Sequence, residues 1–437
     1  MRVNQKKSNF LIMAITIMAI TMILAPFTKA ASKQNTSKSA VSTNGKKIEL
    51  TYWAILARKD WTEAALKIFE KNNPNIKINI VYNSGDNQKQ NIIVAASSHT
   101  LPDIWYNYSG PGSNFFMENK LCYDLTPLAK KENWFKTMRK SALDSFTYKG
   151  KINAYPLAIN TTQVIYRKDI FEKYGIKVPT TWAEFETALA TLKKNQITPF
   201  CIAGKNGWLL NRLMDELFEM YTGPKVHDKL FNLQTSWDTP AVVEVYSKFK
   251  EWVNKGYFLD GFMSQDPNDI RMMMYSGVTA MTIDGSTLIQ KMLVTDKQDT
   301  RLYGTFNIPT NVNKGGTRVP IYPNGNQFNA NITAEKLAAA IKFTDTLVSD
   351  NAAFDGIRTY PSPLVSSVIP SSIPMVSDIT ESGDKYGTFV VSDQTMDPGF
   401  INTYYLSLQN IVSGKMTPEE AASFMEKSAK QYKKSLK

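Results

Sequence analysis

Aromatic and polar side chains follow the ends of several predicted strands, and their types suit the binding of a small polar ligand. Flat rings can stack on the apolar face of such a ligand, while Asp, Asn and Arg side chains can form paired hydrogen bonds with its polar groups. Loops at the carboxyl ends of parallel strands are where α/β proteins usually hold ligands. The candidate ligand-binding residues are Trp53, Arg58, Asp60, Asn107, Tyr108, Asn160, Trp208, Asp284 and Asn326.

Most of these candidates also have a structural explanation that the sequence leaves open. A Trp can fill a core, a charged loop residue can simply be solvated, and an Asn or Asp can cap a helix or close a turn. The alternatives are core packing for Trp53 and Trp208, solvation for Arg58 and Asp60, a hydrogen bond across a chain crossover for Asn160, a cap or turn for Asp284, and a turn within Asn-Gly-Asn for Asn326.

The residue patterns of common catalytic sites are missing from the sequence. His99 and His227 are the two histidines, and neither belongs to a metal-ligand spacing. We find no G-x-S-x-G, H-E-x-x-H, P-loop or G-x-G-x-x-G motif. A glycosidase pair made by Asp60 and Asp284 facing each other stays open as an alternative. We therefore predict a binding protein that is not an enzyme and uses no cofactor and no metal.

The amino terminus has the layout of an export signal. Basic residues Arg2, Lys6 and Lys7 precede an apolar run over residues 10–25, and Ala30 ends a small-residue cleavage site. The run is short for a membrane span, although an uncleaved anchor stays an alternative. We predict a signal peptide over residues 1–30, a disordered polar linker over 31–46, and a protein exported to the outer face of the cytoplasmic membrane or beyond.

Length and composition favour an ordinary globular protein of two domains. The chain has 437 residues, of which 43% are hydrophobic and 21% are charged. Its net charge of +12 falls to about +8 without the four cations of the signal peptide. The remaining lysines are scattered among acids, which predicts a solvated surface and no nucleic-acid partner. Cys122 and Cys201 cannot form a disulfide framework, so we expect two free, buried thiols.

Residues 153–171, NAYPLAINTTQVIYRKDIF, are typical of a connection between two lobes. Pro156 disfavours helix at Tyr155, so the segment should begin extended. The β-branched and aromatic types at 163–167 predict a buried strand. Between them lies the polar span 160–162, which we interpret as a hinge about which two lobes close. Elsewhere strands and helices alternate, as at 48–53, 76–80 and 101–105 with helices between, and this alternation predicts a parallel α/β fold.

Five segments together resemble the bacterial extracellular solute-binding proteins of family 1, the carbohydrate-binding receptors of ABC importers that include maltodextrin-binding protein. The segments occur in the order that the family has, and they span nearly the whole chain after the predicted signal. They are IFEKNNPNIKINI (68–80), LPDIW (101–105), INAYPLAINTTQVIYRKDIFEKYGIKVPTTWAEFETALATLKK (152–194), SGVTAMTIDGS (276–286) and YLSLQNIVSGKMTPEEAASF (405–424).

The resemblance implies a two-lobed, type II periplasmic-binding-protein-like fold with hinge crossovers and a ligand cleft between the lobes. Lobe 1 would hold residues 47–158 and 326–366, and lobe 2 would hold residues 163–322 and 370–437. It also implies that a sugar or oligosaccharide binds in the cleft and that the closed form docks on the transmembrane subunits of an ABC permease. We expect the protein to be a monomer.

Two features depart from the pattern of the family. No Cys follows the apolar run, so the lipoprotein cysteine of many Gram-positive members is not found. Ser286 and Thr287 stand where the family often has a Trp, which removes one expected stacking surface. An exported sugar sensor for a membrane signalling partner, or a secreted carbohydrate-active enzyme, stays an alternative function.

Overall fold

The computed structural model of the protein describes most of the chain after the predicted linker. The predicted signal peptide (1–30) and linker (31–46) lie outside the described part. No helix within the described part has both the length and the apolar content needed to cross a membrane. The described residues are 47–310, 318–350, 359–367 and 374–436.

The alternation of strands and helices predicted a parallel sheet, whereas the structure has a mixed one. Nine strands of the described residues join in one sheet with the main path β2-β1-β3-β10-β6-β8-β7, and β11 and β9 pair with β10 and β6. β1 is parallel to β2 and β3, but β10 is antiparallel to β3 and β6, and β6 is antiparallel to β8. The strands are β1 Ile48–Ile55, β2 Ile76–Asn83, β3 Ile104–Tyr108, β4 Thr147–Tyr148, β5 Lys151–Ile152, β6 Tyr155–Arg167, β7 Thr198–Phe200, β8 Thr279–Gly285, β9 Tyr303–Phe306, β10 Val319–Phe328 and β11 Thr388–Val390.

Helices cover the sheet, and their starts follow local capping chemistry. Thr181 and Glu184 form a capping box at the start of the helix that begins at Trp182, and Thr417 with Glu420 forms another. The helices are α1 Lys59–Asn72, α2 Gly85–Ser97, α3 Pro111–Glu118, α4 Thr126–Lys131, α5 Trp134–Thr137, α6 Lys140–Ser145, α7 Lys168–Lys173, α8 Trp182–Lys194, α9 Trp208–Thr222, α10 Pro224–Phe231, α11 Pro240–Asn254, α12 Pro267–Tyr275, α13 Ser286–Gln290, α14 Ala334–Val348, α15 Pro374–Tyr386, α16 Ser392–Thr395, α17 Ile401–Val412 and α18 Pro418–Ser435.

Two large hydrophobic cores lie on either side of the middle of the sheet. One contains buried residues between 48 and 158 and between 328 and 360. The other contains buried residues between 164 and 308 and between 375 and 429. We call the parts built on these cores lobe 1 and lobe 2, and the lobe boundaries predicted from the sequence stay an interpretation. Cys122 and Cys201 are both free and buried, as predicted.

The polar span predicted as a break between two strands is part of one continuous strand. β6 runs over 13 residues from lobe 1 into lobe 2, and every residue of it is buried. Asn160 and Thr161 pair with β10, and Thr162 pairs with β8. The side chains of Asn160 and Thr162 also donate to backbone carbonyls of β10, so the span stays in the strand. The prediction of a strand limited to 163–167 was therefore too short.

β10 is the second strand that runs between the lobes, and it lies where the resemblance implied a return to lobe 1 between residues 322 and 326. Its Asn324-Gly325-Asn326 triplet was interpreted as a possible turn, but the triplet lies inside the strand and carries a shift in pairing register against β6. An added Cβ at Gly325 would lie 2.6 Å from the carbonyl oxygen of Tyr155. The glycine is therefore needed for close strand approach rather than for a turn.

Candidate functional site

A cavity of about 440 Å³ lies between the two lobes and is lined by both. Lobe 1 contributes the short 3₁₀ segment Leu56–Arg58 through Leu56 and Ala57, together with the start of α2. Lobe 2 contributes α9, α12 and α13, and Tyr322 of β10 lines the cavity where the lobes meet. A separate cavity of about 380 Å³ lies within lobe 1. We take the interlobe cavity as the candidate site because both lobes can contact a ligand there.

Trp208 begins α9 and is held in place by its surroundings on lobe 2. Gly207 precedes it with φ +73°, and an added Cβ there would lie 2.4 Å from the ring of Tyr405. The guanidinium carbon of Arg212, one helical turn later, lies 4.5 Å from the ring centre of Trp208 and 4.5 Å from that of Tyr322. A cation over a ring is attracted by the negative face of the ring. Arg212 therefore fixes the positions of two aromatic rings of the cavity.

A buried ion triad lies behind these rings. Asp284, at 1% exposure, accepts hydrogen bonds from Arg212 through Oδ1 and from Arg271 Nη2 through Oδ2 at 2.5 Å. The backbone N–H of Gly285 also donates to Oδ1, at 2.7 Å. Burial alone would raise the pKa of Asp284, but the two guanidinium groups outweigh burial and the pKa lies below its usual value. The carboxylate is therefore ionised and held rigidly.

The lobe 1 wall of the cavity is built from tyrosines and exposed charges. The rings of Tyr106 and Tyr108 meet edge to face with centres 5.3 Å apart. Lys89 of α2 lies 4.8 Å from the centre of the Tyr108 ring, and its Nζ lies 3.9 Å from a carboxylate oxygen of Asp393 in α16. Asp60 lines the cavity from the first turn of α1 and is exposed. The wall thus offers ring faces and hydrogen-bonding groups to the same ligand.

Comparison with known proteins gives the family. Residues 52–353, more than half of the chain, match the family described as bacterial extracellular solute-binding protein. The chain belongs to this family of solute-binding proteins.

Curated relatives and solved structures extend this result. An uncharacterized ABC transporter extracellular-binding protein of Pyrococcus horikoshii is 26% identical over 248 residues, which cover 50% of this chain and 58% of the relative. A multiple sugar-binding protein of Streptococcus mutans is 29% identical over 181 residues, which cover 40% of this chain and 41% of the relative. The chain spans about half the length of the curated relatives that it matches.

Solved structures show the fold over most of this solute-binding protein. A chitin oligosaccharide binding protein superimposes with a TM-score of 0.80 at 24% identity, covering 89% of this chain and 99% of the other. RafE in complex with raffinose superimposes with a TM-score of 0.72 at 18% identity, covering 87% of this chain and 98% of the other. The predicted two-lobed, type II fold is confirmed by these matches.

Four of the nine residues predicted from the sequence line the interlobe cavity of the solute-binding protein. They come together from four different elements, namely α1, β3, α9 and β8. Each follows or ends a strand, or begins a helix after one, as the strand-end argument requires. The four residues are Asp60, Tyr108, Trp208 and Asp284.

The other five predicted residues lie outside the described lining of the cavity. Asn107 Nδ2 donates to Gln327 Oε1 at 2.8 Å, and Asn326 Oδ1 accepts from the hydroxyl of Tyr52 at 3.0 Å. Both side chains are buried and link strands of the sheet, β3 with β10 and β1 with β10. The side chain of Trp53 packs against a small core around Trp105. Internal hydrogen bonds already occupy the side chains of Asn107 and Asn326, and direct ligand contact by these two residues and by Trp53 stays a prediction.

Arg58 and Asn160 lie behind the cavity wall and hold the crossover. Arg58 Nη2 donates to Asn160 Oδ1 at 3.2 Å, and Ser286 Oγ donates to the same oxygen at 3.2 Å. Asn160 Nδ2 donates to the backbone carbonyl of Tyr322 at 3.1 Å. Asn160 therefore joins both lobes to β10, which corresponds to the structural alternative considered for it, and direct ligand contact by either residue stays a prediction.

Several lining residues were missed from the sequence. Arg212 could have been found, because it follows Trp208 by four residues and so lies on the same face of α9. Arg271 and Gln290 carry no comparable local signal. Only the packing of α12 and α13 against β8 brings them to the cavity.

Proposed function

We propose that the protein is an exported solute-binding protein that captures a sugar or oligosaccharide between its lobes and delivers it to an ABC permease. The observation that carries the proposal is the interlobe cavity, in which Trp208 lies over a buried Arg212–Asp284–Arg271 triad. Membership of the solute-binding family and the sugar-binding relative support the same function. The site would operate outside the cytoplasm, with the permease as its membrane partner.

The chemistry of the lining suits a sugar. Trp208, Tyr106, Tyr108 and Tyr322 supply ring faces for the apolar C–H surface of a pyranose. Ion-paired and amide side chains beside the rings supply donors and acceptors in fixed directions, which is what sugar hydroxyl groups need. Because the polar wall next to the flat rings is already rigid, binding a sugar there avoids the entropy cost of ordering these side chains.

Capture would be coupled to closure of the lobes. A ligand that contacts both walls favours the form in which the walls are close, and β6 and β10 are the two strands that connect the lobes through the sheet. The closed surface is then the state that a permease can recognise. We expect one chain to be sufficient for this cycle.

The geometry favours binding over catalysis. A glycosidase needs one carboxylic acid with a raised pKa to protonate the leaving group. Asp284 has a lowered pKa, and both of its oxygens accept hydrogen bonds from arginines. Asp284 is thus unsuited to be that acid, and we propose that the sugar leaves the site unchanged.

The function is tested by binding assays with the wild-type protein and a Trp208→Ala variant. We expect a panel of mono- and oligosaccharides to contain ligands that raise the melting temperature of the wild type. Losing the large ring face of Trp208 should cost on the order of 1.5–3 kcal/mol, which is roughly a 10- to 100-fold increase in Kd. Isothermal titration calorimetry measures the change.

A matched control is Phe135→Ala, because Phe135 is an exposed ring at 59% exposure in lobe 1, on α5. This variant should bind as tightly as the wild type. Stabilisation by peptides or metals with no response to any sugar would refute the proposed function. An unchanged Kd for Trp208→Ala would remove Trp208 from the site.

A further inference from the structure

The charges that line the interlobe cavity are separated by burial. Four acidic and four basic side chains line it, so the lining as a whole is balanced. Asp60 and Asp86 are exposed, whereas Arg212, Arg271 and Asp284 are buried. Water screens exposed charges much more than buried ones. The buried triad therefore dominates the charge that a deeply bound ligand meets.

This triad carries one surplus positive charge. The single carboxylate of Asp284 pairs with two guanidinium groups, that of Arg212 at Oδ1 and that of Arg271 at Oδ2. The other cations of the lining have carboxylate partners of their own, since Lys89 lies near Asp393 and Lys291 pairs with Asp296. A buried cation without a full counter-charge is costly, which leaves the site prepared for an anion.

Two buried polar atoms on the same wall lack partners among the described residues. They are Nε of Arg271, which is a donor, and Oε1 of Gln290, which is an acceptor. Both residues line the cavity, at 7% and 3% exposure. A ligand that fits this wall must bring an acceptor for the arginine and a donor for the amide.

A further buried cation lies under the opposite wall. Arg58 is 2% exposed, and its Nε and Nη1 have no hydrogen-bond partner among the described residues. Its guanidinium carbon lies 5.3 Å from the ring centre of Tyr106, which lines the cavity. Arg58 therefore adds to the positive potential at the buried end of the cavity.

We propose that the ligand is an acidic oligosaccharide, with the carboxylate of a uronic acid at Arg271 and a hydroxyl of the same ligand on Gln290. This inference rests on the proposed function and narrows it to a class of sugar. A neutral sugar could satisfy both unpartnered atoms but would leave the surplus charge in place. A carboxylate offsets that charge and forms charge-assisted hydrogen bonds, which are about twice as strong as neutral ones.

The test compares each acidic ligand with its methyl ester, which keeps the sugar skeleton and removes the charge. Tri-galacturonic acid and its fully methyl-esterified form, and xylotetraose with a glucuronic acid branch and the methyl ester of that branch, are titrated into the wild-type protein by calorimetry. We expect at least one acid to bind about tenfold or more tightly than its neutral partner. The difference in Kd between the acid and its neutral partner should become smaller as salt is added.

The outcomes separate the two proposals. Equal or tighter binding of the neutral partners would overturn the acidic ligand and leave a sugar-binding protein. Failure of the acidic and neutral ligands to bind, together with no response to any sugar of the panel, would overturn the proposed function as well.

A variant pair adds a readout within the protein. Arg271→Gln leaves Arg212 and Asp284 as a neutral pair. The variant should therefore weaken binding of the acid about tenfold or more, and binding of the neutral partner less than about threefold. Arg301→Gln is the control, because Arg301 is exposed and pairs with Asp299 on the surface. Equal weakening of acid and neutral ligand in Arg271→Gln would contradict the proposal. If Arg271→Gln fails to fold, the comparison of acid and ester on the wild type still decides.

Discussion

The Asp284→Ala variant is expected to lose about 3–5 kcal/mol of its free energy of unfolding, the usual cost of removing one partner of a buried ion pair. The substitution leaves the guanidinium groups of Arg212 and Arg271 buried without their carboxylate. It also removes the acceptor of the Gly285 backbone N–H. Urea denaturation followed by fluorescence measures this loss of stability. Sugar binding should weaken as well, because Asp284 holds Arg212 and Arg271 in position at the cavity.

The control for this variant is Asp299→Ala, in which an exposed carboxylate is removed from Arg301. Surface pairs contribute little, so its unfolding curve should lie close to that of the wild type. Equal losses in both variants would show that the buried triad has no special role in stability.

The same residue predicts a pH dependence. Because the pKa of Asp284 is lower in the folded state, its contribution to stability is full above the unfolded value of about 4 and is lost as the pH falls through the folded pKa. The difference in free energy between wild type and Asp284→Ala should therefore shrink below about pH 4. A difference that stays constant down to acid unfolding would argue against the ionised triad.

The second large effect is expected from Gly110→Ala, which should weaken ligand binding about tenfold or more by opposing closure. Gly110 precedes α3 with φ +84°, and an added Cβ would lie 1.8 Å from the backbone carbonyl oxygen of Gln394 in α16. α16 is attached to lobe 2, since the backbone N–H of Ser392 donates to Asp215 at 3.0 Å. The methyl group added by Gly110→Ala would therefore clash across the contact between the two lobes.

Small-angle X-ray scattering and calorimetry on the variant test this expectation. With saturating ligand, the radius of gyration of Gly110→Ala should stay larger than that of the wild type. Gly112→Ala is the matched control two residues away, because among the described atoms nothing lies within 4 Å of its added Cβ. It should bind normally, and an unchanged Kd in Gly110→Ala would show that this contact does not limit closure.

The sequence was sufficient wherever the cause is local. Strands were predicted at 48–53 and 76–80, and β1 and β2 lie there. The starts of α8 and α18 are also local, because each has a Thr-x-x-Glu capping box within four residues. Trp208 and Asp284 were predicted at the cavity because each lies where a strand ends or a helix begins, and that position can be read from neighbouring residues.

Tertiary structure alone decided which polar residues meet the cavity. Asn107, Asn160 and Asn326 have the same residue type, and each is buried with internal partners from distant segments. Nothing local distinguishes a buried amide with partners from one that faces a ligand.

The ion triad of Arg212, Asp284 and Arg271 likewise could not be predicted from the sequence. Arg212 and Arg271 are separated by 59 positions and meet on Asp284 only because α9 and α12 both pack near β8. The sequence by itself thus determined the family resemblance, the two lobes and the strand ends where a site could form. Only the folded chain decided the continuous β6 crossover and the buried surplus charge, because both depend on partners brought together by long-range packing.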